Sequence, residues 1–242
     1  MVYCIFTYSG DEELVQLCVQ RLREADRTAV VYLADDARAP MRRVPNDCHR
    51  VTTRFPRGGS LNGMGAVLGV LDSLCWCMQH AGASYIVKLD ADTMLCRVGW
   101  LQEHPEAEYL ACEKLEAFRP AGNCYRITYE AARAALEYLQ GRQRDGMTNP
   151  GWYWPEDQTI FDALRMVNRR CALVPYSLRL SQGMGDTIPL PAQLATASVI
   201  HCGEPVKDAS GAIARASRPH VLLRMRILSD SIDKQKQDTE HD

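Results

Sequence analysis

The stretch Ser84-Tyr85-Ile86-Val87-Lys88-Leu89-Asp90-Ala91-Asp92-Thr93 runs from a β-branched, apolar segment straight into two carboxylates separated by one residue. Tyr, Ile, Val and Leu favour a pleated, buried strand, and Asp90-Ala91-Asp92 falls at its carboxyl end. Upstream, Leu61, Met64, Val67, Leu68, Leu71, Leu74, Cys75 and Met78 recur at three- and four-residue steps, which predicts a long helix opened by Gly58-Gly59-Ser60 and closed near Gly82. At the N-terminus, Val2 to Tyr8 reads as a buried strand, and Ser9-Gly10-Asp11-Glu12-Glu13 starts a helix carried by Leu14, Leu17, Cys18 and Leu22. A second short strand, Ala29 to Leu33, runs into Asp35-Asp36. This β-α-β order predicts a parallel sheet. Open α/β sheets bind ligands where loops leave the carboxyl ends of strands, and three polar ends gather there: Thr7 to Ser9, Asp35-Asp36 and Asp90 to Asp92.

The second half is mixed. Residues 37 to 57 carry Pro40, Pro45, Pro56 and several arginines, which predicts an irregular crossing with one strand near His49 to Thr53. Strands are expected at Tyr109 to Ala117, Ala121 to Ile127, Ala172 to Pro175 and Ala197 to Ile200, the last ending in His201. Helices are expected at Thr128 to Leu139, with Thr128 as N-cap, and at Thr159 to Val167, preceded by Trp152-Tyr153-Trp154-Pro155-Glu156-Asp157-Gln158. A helix near Val221 to Leu228 gives way to a charged tail expected to fray. At 242 residues, one α/β domain is expected, a mixed sheet flanked by helices. Its core domain would span 1–205, with a nucleotide-binding half at 1–95 and an acceptor half at 96–205, followed by the helix and polar tail of 206–242.

A formal net charge of −2 gives no general pull toward nucleic acid, so no nucleic-acid partner is expected. No basic leader precedes the first apolar run, and no stretch has the roughly 18 apolar residues of a membrane helix, so the expected location is cytoplasmic. The ten cysteines lack the density of a disulfide scaffold, and Cys75-Trp76-Cys77 has no second pair at zinc spacing.

An Asp-x-Asp at a strand end suits Mg²⁺ or Mn²⁺, because a hard ion takes oxygen ligands and bridges to phosphate oxygens. Acidic pairs also solvate loops and cap helices, a plainer use of the same residues. Three segments in order, Val87-Lys88-Leu89-Asp90-Ala91-Asp92-Thr93, Pro155-Glu156-Asp157-Gln158-Thr159-Ile160-Phe161 and Val199-Ile200-His201-Cys202-Gly203, carry a resemblance over roughly residues 1 to 205. In them the chain resembles the GT-A glycosyltransferases, which move a sugar from a nucleoside-diphosphate sugar on a Rossmann-like domain. The resemblance implies a Mn²⁺ or Mg²⁺ ion held by Asp92 and His201, with Asp90 on the metal or on the donor's ribose and sugar. It implies base and ribose contacts from Thr7, Tyr8 and Ser9 with Asp35 or Asp36, and a weak preference for a uridine donor. Asn62, or Arg57, would face the donor from a helix start. Asp157 would be the base in an inverting reaction, with Glu156 the less favoured neighbour, whereas in a retaining one Asp157 or Gln158 would position a substrate. Glu156-Asp157 also fits a helix start and nothing more. Trp154, with Trp152 and Tyr153, would form an acceptor platform or pack in the core.

Other readings fit less well. A haloacid-dehalogenase-type phosphatase wants Thr or Val where Met94 stands, and a sugar nucleotidyltransferase wants a basic glycine-rich loop where the sequence has Thr7-Tyr8-Ser9-Gly10-Asp11-Glu12. A noncatalytic nucleotide-sugar-binding protein of the same fold would be favoured by loss of Asp92 or His201, and their presence together with Asp157 favours catalysis. Donor sugar, acceptor, stereochemical outcome and oligomeric state are not encoded in any of these motifs.

Overall fold

The computed structural model describes residues 1–7, 9–53, 63–114, 119–145, 156–179, 193–194, 197–203, 206–207, 213–214 and 217–240. Strands β1 (Val2–Thr7), β2 (Val30–Asp36), β3 (Cys48–Thr53) and β4 (Tyr85–Asp90) pair in parallel. They join β6 (Tyr109–Lys114), β7 (Arg119–Thr128) and β8 (Cys171–Val174) in one seven-stranded sheet of order β3-β2-β1-β4-β7-β6-β8. Strand β7 runs antiparallel to both β4 and β6, so the sheet is mixed, as expected. Central strands are covered on both faces, which is why β1 and β4 read as nearly continuous apolar runs.

Two cores lie on the two faces of the sheet. On one, Tyr3, Ile5, Leu33, Val87 and Leu89 pack against α1 (Glu12–Ala25) and α5 (Arg218–Glu240). On the other, Cys4, Phe6, Ile86 and Tyr125 pack against α2 (Met64–Ala81), α3 (Tyr129–Arg144) and α4 (Glu156–Met166). Helix α2 stops at Gly82, whose φ of 61° suits glycine and lets Ala83 N–H reach the Met78 carbonyl. Thr128 caps α3 by accepting the Ala131 N–H, as its sequence predicts.

Several boundaries differ from expectation, among them the end of α3, which runs to Arg144 rather than Leu139. Strand β2 extends past Leu33, so Asp35 and Asp36 are strand residues. Helix α4 includes Glu156 and Asp157 in its first turn, where carboxylates favour the positive end of the helix dipole; the apolar period that predicts a start at Thr159 appears only from Ile160 onward. The C-terminal segment is helical as far as Glu240, because α5 does more than present polar side chains to water. Val221, Met225 and Leu228 lie in the first core, and buried Arg21 of α1 bonds to Ser229 and Asp233.

A short sheet completes the architecture. Strand β5 (Thr93–Leu95) pairs antiparallel with β10 (Val199–His201), which pairs with β9 (Ser177–Arg179), and the register sets His201 opposite Thr93. Strands β11 (Val206–Lys207) and β12 (Ile213–Ala214) form a separate pair. All ten cysteines are free. Burial pushes most of their thiols up, Cys75 and Cys112 each to about 12, so they behave as small core residues. Among the described residues no helix is long and apolar enough to cross a membrane.

Candidate active site

Register puts the polar strand ends on one edge of the sheet: Thr7 opposite Asp35, and Phe6 opposite both Ala34 and Asp90. Beyond Asp90 the chain turns through Ala91 and Asp92 into β5. Cys202 N–H donates to the Asp92 carbonyl, which locks the turn to the end of β10 and brings His201 Nε2 to 3.4 Å from Asp92 Oδ1. That carboxylate oxygen is buried and has no hydrogen-bond partner of good geometry among the described residues. Opposite the pair stands Gly203: a β-carbon there would lie 2.8 Å from Asp92 Cγ and 3.1 Å from His201 Nε2. Burial opposes ionisation of Asp92, but His201, Arg218 and Lys88 outweigh it and hold the carboxyl at about 2. The result is an ionised carboxylate and an imidazole converging on a space that only a glycine leaves open, a donor set that fits Mn²⁺ or Mg²⁺.

Asp90 does not join that pair. Its Oδ1 lies 2.8 Å from the ammonium of Lys88, which is buried in β4 on the same sheet face. Among the described residues no group of three or more His, Cys, Asp or Glu side chains is arranged around one point. Asp92 and His201 therefore converge as a pair, while Asp90 beside them is engaged by Lys88.

Across from Asp90, the start of α4 presents two carboxylates in different surroundings. Glu156 accepts from the Tyr125 hydroxyl at 2.9 Å and has Lys88 Nζ at 3.7 Å. Asp157 lies against Gly122 of β7, where a β-carbon would come within 2.7 Å of its Oδ2. Burial, then repulsion from Glu156, raises its carboxyl to about 6, against a smaller opposing pull from Lys88. A carboxylate with that affinity for protons is a competent base near neutrality.

The nucleotide-side residues divide. Thr7 and Asp35 meet, but as a closed pair: both are wholly buried, Thr7 donates to Asp35 at 3.2 Å, Met41 N–H donates to the same carboxylate, and Arg50 of β3 reaches it at 2.6 Å. Asp36 accepts from Arg38 N–H at 2.8 Å and shapes the following turn. Ser9 is exposed and borders a cavity of about 1070 Å³ together with Gly10, Arg42, Arg43 and Arg218. Tyr8, Asn62 and Trp154, with Arg57, Trp152 and Tyr153, lie outside the described residues.

Four residues here are given no individual role by the motifs: Lys88 and Gly203, which lie within two of them, and Gly122 and Arg218. Arg218, the first residue of α5, pairs with Asp11 at 2.9 Å and stands 3.8 Å from Asp92. Nothing in the sequence near 218 marks it as part of the site. Lys88 did carry a signal, since the period of two puts it on the face of Asp90 in an otherwise apolar strand.

No family model matches the chain, and no curated protein matches it. Solved structures do. A glycosyltransferase involved in glycosylation of the major capsid of PBCV-1 matches with a TM-score of 0.53 at 10% identity, over 93% of this chain and 98% of that one. An active-site mutant of LgtC matches with a TM-score of 0.56 at 10% identity, over 96% of each chain. The fold is that of the GT-A glycosyltransferases. At this identity the likeness concerns the path of the chain, so the activity has to be argued from the site.

Proposed function

We propose that this chain is a metal-dependent glycosyltransferase that moves a sugar from a nucleoside-diphosphate sugar to an acceptor hydroxyl. The observation that carries the proposal is the pairing of two unlike centres across the carboxyl edge of one sheet: Asp92 with His201 on one side, and Asp157, raised to about 6, on the other. Asp92 and His201 would hold Mn²⁺ or Mg²⁺. Bound there, the ion supplies positive charge to the departing diphosphate. Asp90, beside Lys88, orients the donor's ribose and sugar, and Ser9 lies on the nucleotide side. A uridine nucleotide is the first donor to try.

In the inverting form of the reaction, Asp157 takes the proton from the acceptor hydroxyl as that oxygen attacks the anomeric carbon. The bond from the anomeric carbon to the diphosphate oxygen breaks, and its electron pair leaves with the diphosphate. Glu156 suits this role less, because Tyr125 and Lys88 already engage it. In a retaining reaction Asp157 or Gln158 would orient a substrate instead.

Thermal unfolding with UDP, GDP, CMP and ADP, each with and without Mn²⁺, tests the donor site. At 100 times its dissociation constant a ligand adds about 2.7 kcal/mol, or roughly 5 °C for a chain of this size. Stabilisation by one nucleoside diphosphate that needs Mn²⁺ and disappears in Asp92→Ala supports the proposal. No shift with any of them refutes it.

A further inference from the structure

A lysine in the middle of a central strand is costly, and Lys88 is 1% exposed with apolar Val87 and Leu89 as its chain neighbours. Desolvating an ammonium costs several kcal/mol, and an apolar residue of the same length would serve the core as well or better. Its surroundings show what it joins. Nζ lies 2.8 Å from Asp90 Oδ1 at the end of its own strand, donates to the Gly122 carbonyl of β7 at 2.6 Å, and lies 3.7 Å from Glu156 Oε2 at the start of α4. The Tyr125 ring packs beneath it with its centroid 5.4 Å away, and the Tyr125 hydroxyl donates to the other oxygen of Glu156. Gly122 is also the residue against which Asp157 rests. One buried cation thus touches the strand that carries Asp90, the strand that backs Asp157, and the helix that bears Asp157.

We propose that Lys88 is a positioning residue that fixes the donor-facing carboxylate, Asp90, relative to the base, Asp157, by clamping β4, β7 and α4 around a single ammonium. The inference rests on the glycosyltransferase reading and adds to it the element that holds the two halves of the site in register. Lys88 contacts neither substrate. It acts through Asp90 on one side and through Gly122 and Glu156 on the other. Transfer between two bound substrates is sensitive to such register, and a displacement of about 1 Å costs on the order of 100-fold in rate.

The test separates positioning from folding. Lys88→Met alone leaves Asp90 and Glu156 without their shared cation, so it is combined with Glu156→Gln, which removes one of the two charges, and compared with Glu156→Gln alone. Each protein is assayed with Mn²⁺ and a panel of UDP- and GDP-sugars for release of the nucleoside diphosphate, and its thermal stability is recorded. With the donor that wild type turns over fastest, the expected result is a double variant that unfolds within a few degrees of Glu156→Gln. Its kcat falls about 100-fold below that reference while its donor KM changes far less. Equal kcat in the two variants overturns the inference, and so does a double variant that fails to fold, which would make Lys88 a folding residue. Wild-type protein that releases no diphosphate from any donor refutes the glycosyltransferase reading itself, and with it this inference. Active wild type with an unimpaired double variant refutes the inference alone.

Discussion

Asp157→Asn should make the protein more stable while disabling it. The Asp157 carboxyl is raised from 3.8 to about 6, chiefly by burial and then by Glu156. A shift of about 2 units corresponds to about 3 kcal/mol of preference for the protonated form in the folded state. The folded protein therefore holds this proton more tightly than the unfolded chain does. Below pH about 3 both states are protonated and the group costs nothing; the cost grows as pH rises, and is complete above pH about 7. Asparagine keeps the shape and an oxygen for the Gln158 N–H while removing the charge. Urea unfolding of wild type and variant at pH 4, 6 and 8 reads the difference directly. The expected gain is about 0.5 kcal/mol at pH 4 and about 3 kcal/mol at pH 8, or roughly 6 °C in a thermal scan at pH 8. Turnover should drop by about 100-fold or more with loss of the base. A variant less stable than wild type at pH 8, or an offset that does not change with pH, would refute the assignment of Asp157 as a buried, proton-avid carboxylate.

Three further outcomes follow from other parts of the structure. The kcat/KM profile should have an acid limb near pH 6, where Asp157 protonates, and a limb nearer pH 4 would point to an ordinary exposed carboxylate. Gly203→Ala should abolish Mn²⁺-dependent stabilisation by UDP, since its β-carbon would intrude to 2.8 Å from Asp92 Cγ; calorimetric titration showing unchanged Mn²⁺–UDP affinity would contradict this. Arg21→Ala should loosen α5 from α1. Arg21 is 4% exposed but its partner Asp233 is 47% exposed, so solvent screens the pair and the loss should be about 2 kcal/mol in urea unfolding rather than the full cost of a broken buried pair. A loss below about 0.5 kcal/mol would show that the apolar contacts alone hold the helix.

The strand-and-motif segment from Ser84 to Thr93, the parallel N-terminal unit and the α2 periodicity were legible because each is a local pattern with its own period. The Thr128 cap was legible for the same reason. What stayed hidden depends on long-range pairing. Asp92 and His201 were paired by the family resemblance alone, because they meet through β5 and β10, two strands of three residues each, too short for alternation to be read. Asp35 looked available for a ribose, but Arg50 from the neighbouring strand and Met41 N–H occupy it, and neither partner is marked in the sequence. Arg218 reaches Asp92 from a helix 126 positions away, and α5 holds its place through Val221, Met225 and Leu228 as well as Arg21, an apolar face too sparse among charges to stand out. Lys88 was readable in principle, since a lone charge in an apolar strand calls for a buried partner.

The most direct test of the central claim is release of nucleoside diphosphate from nucleotide sugars by wild type, Asp92→Ala and Asp157→Asn, with Mn²⁺ and with a chelator. The account predicts slow, Mn²⁺-dependent hydrolysis of one donor by wild type even without an acceptor, lost in Asp92→Ala and in chelator. A wild-type protein that binds a nucleotide sugar and never cleaves it would contradict the account and make this fold a binding module.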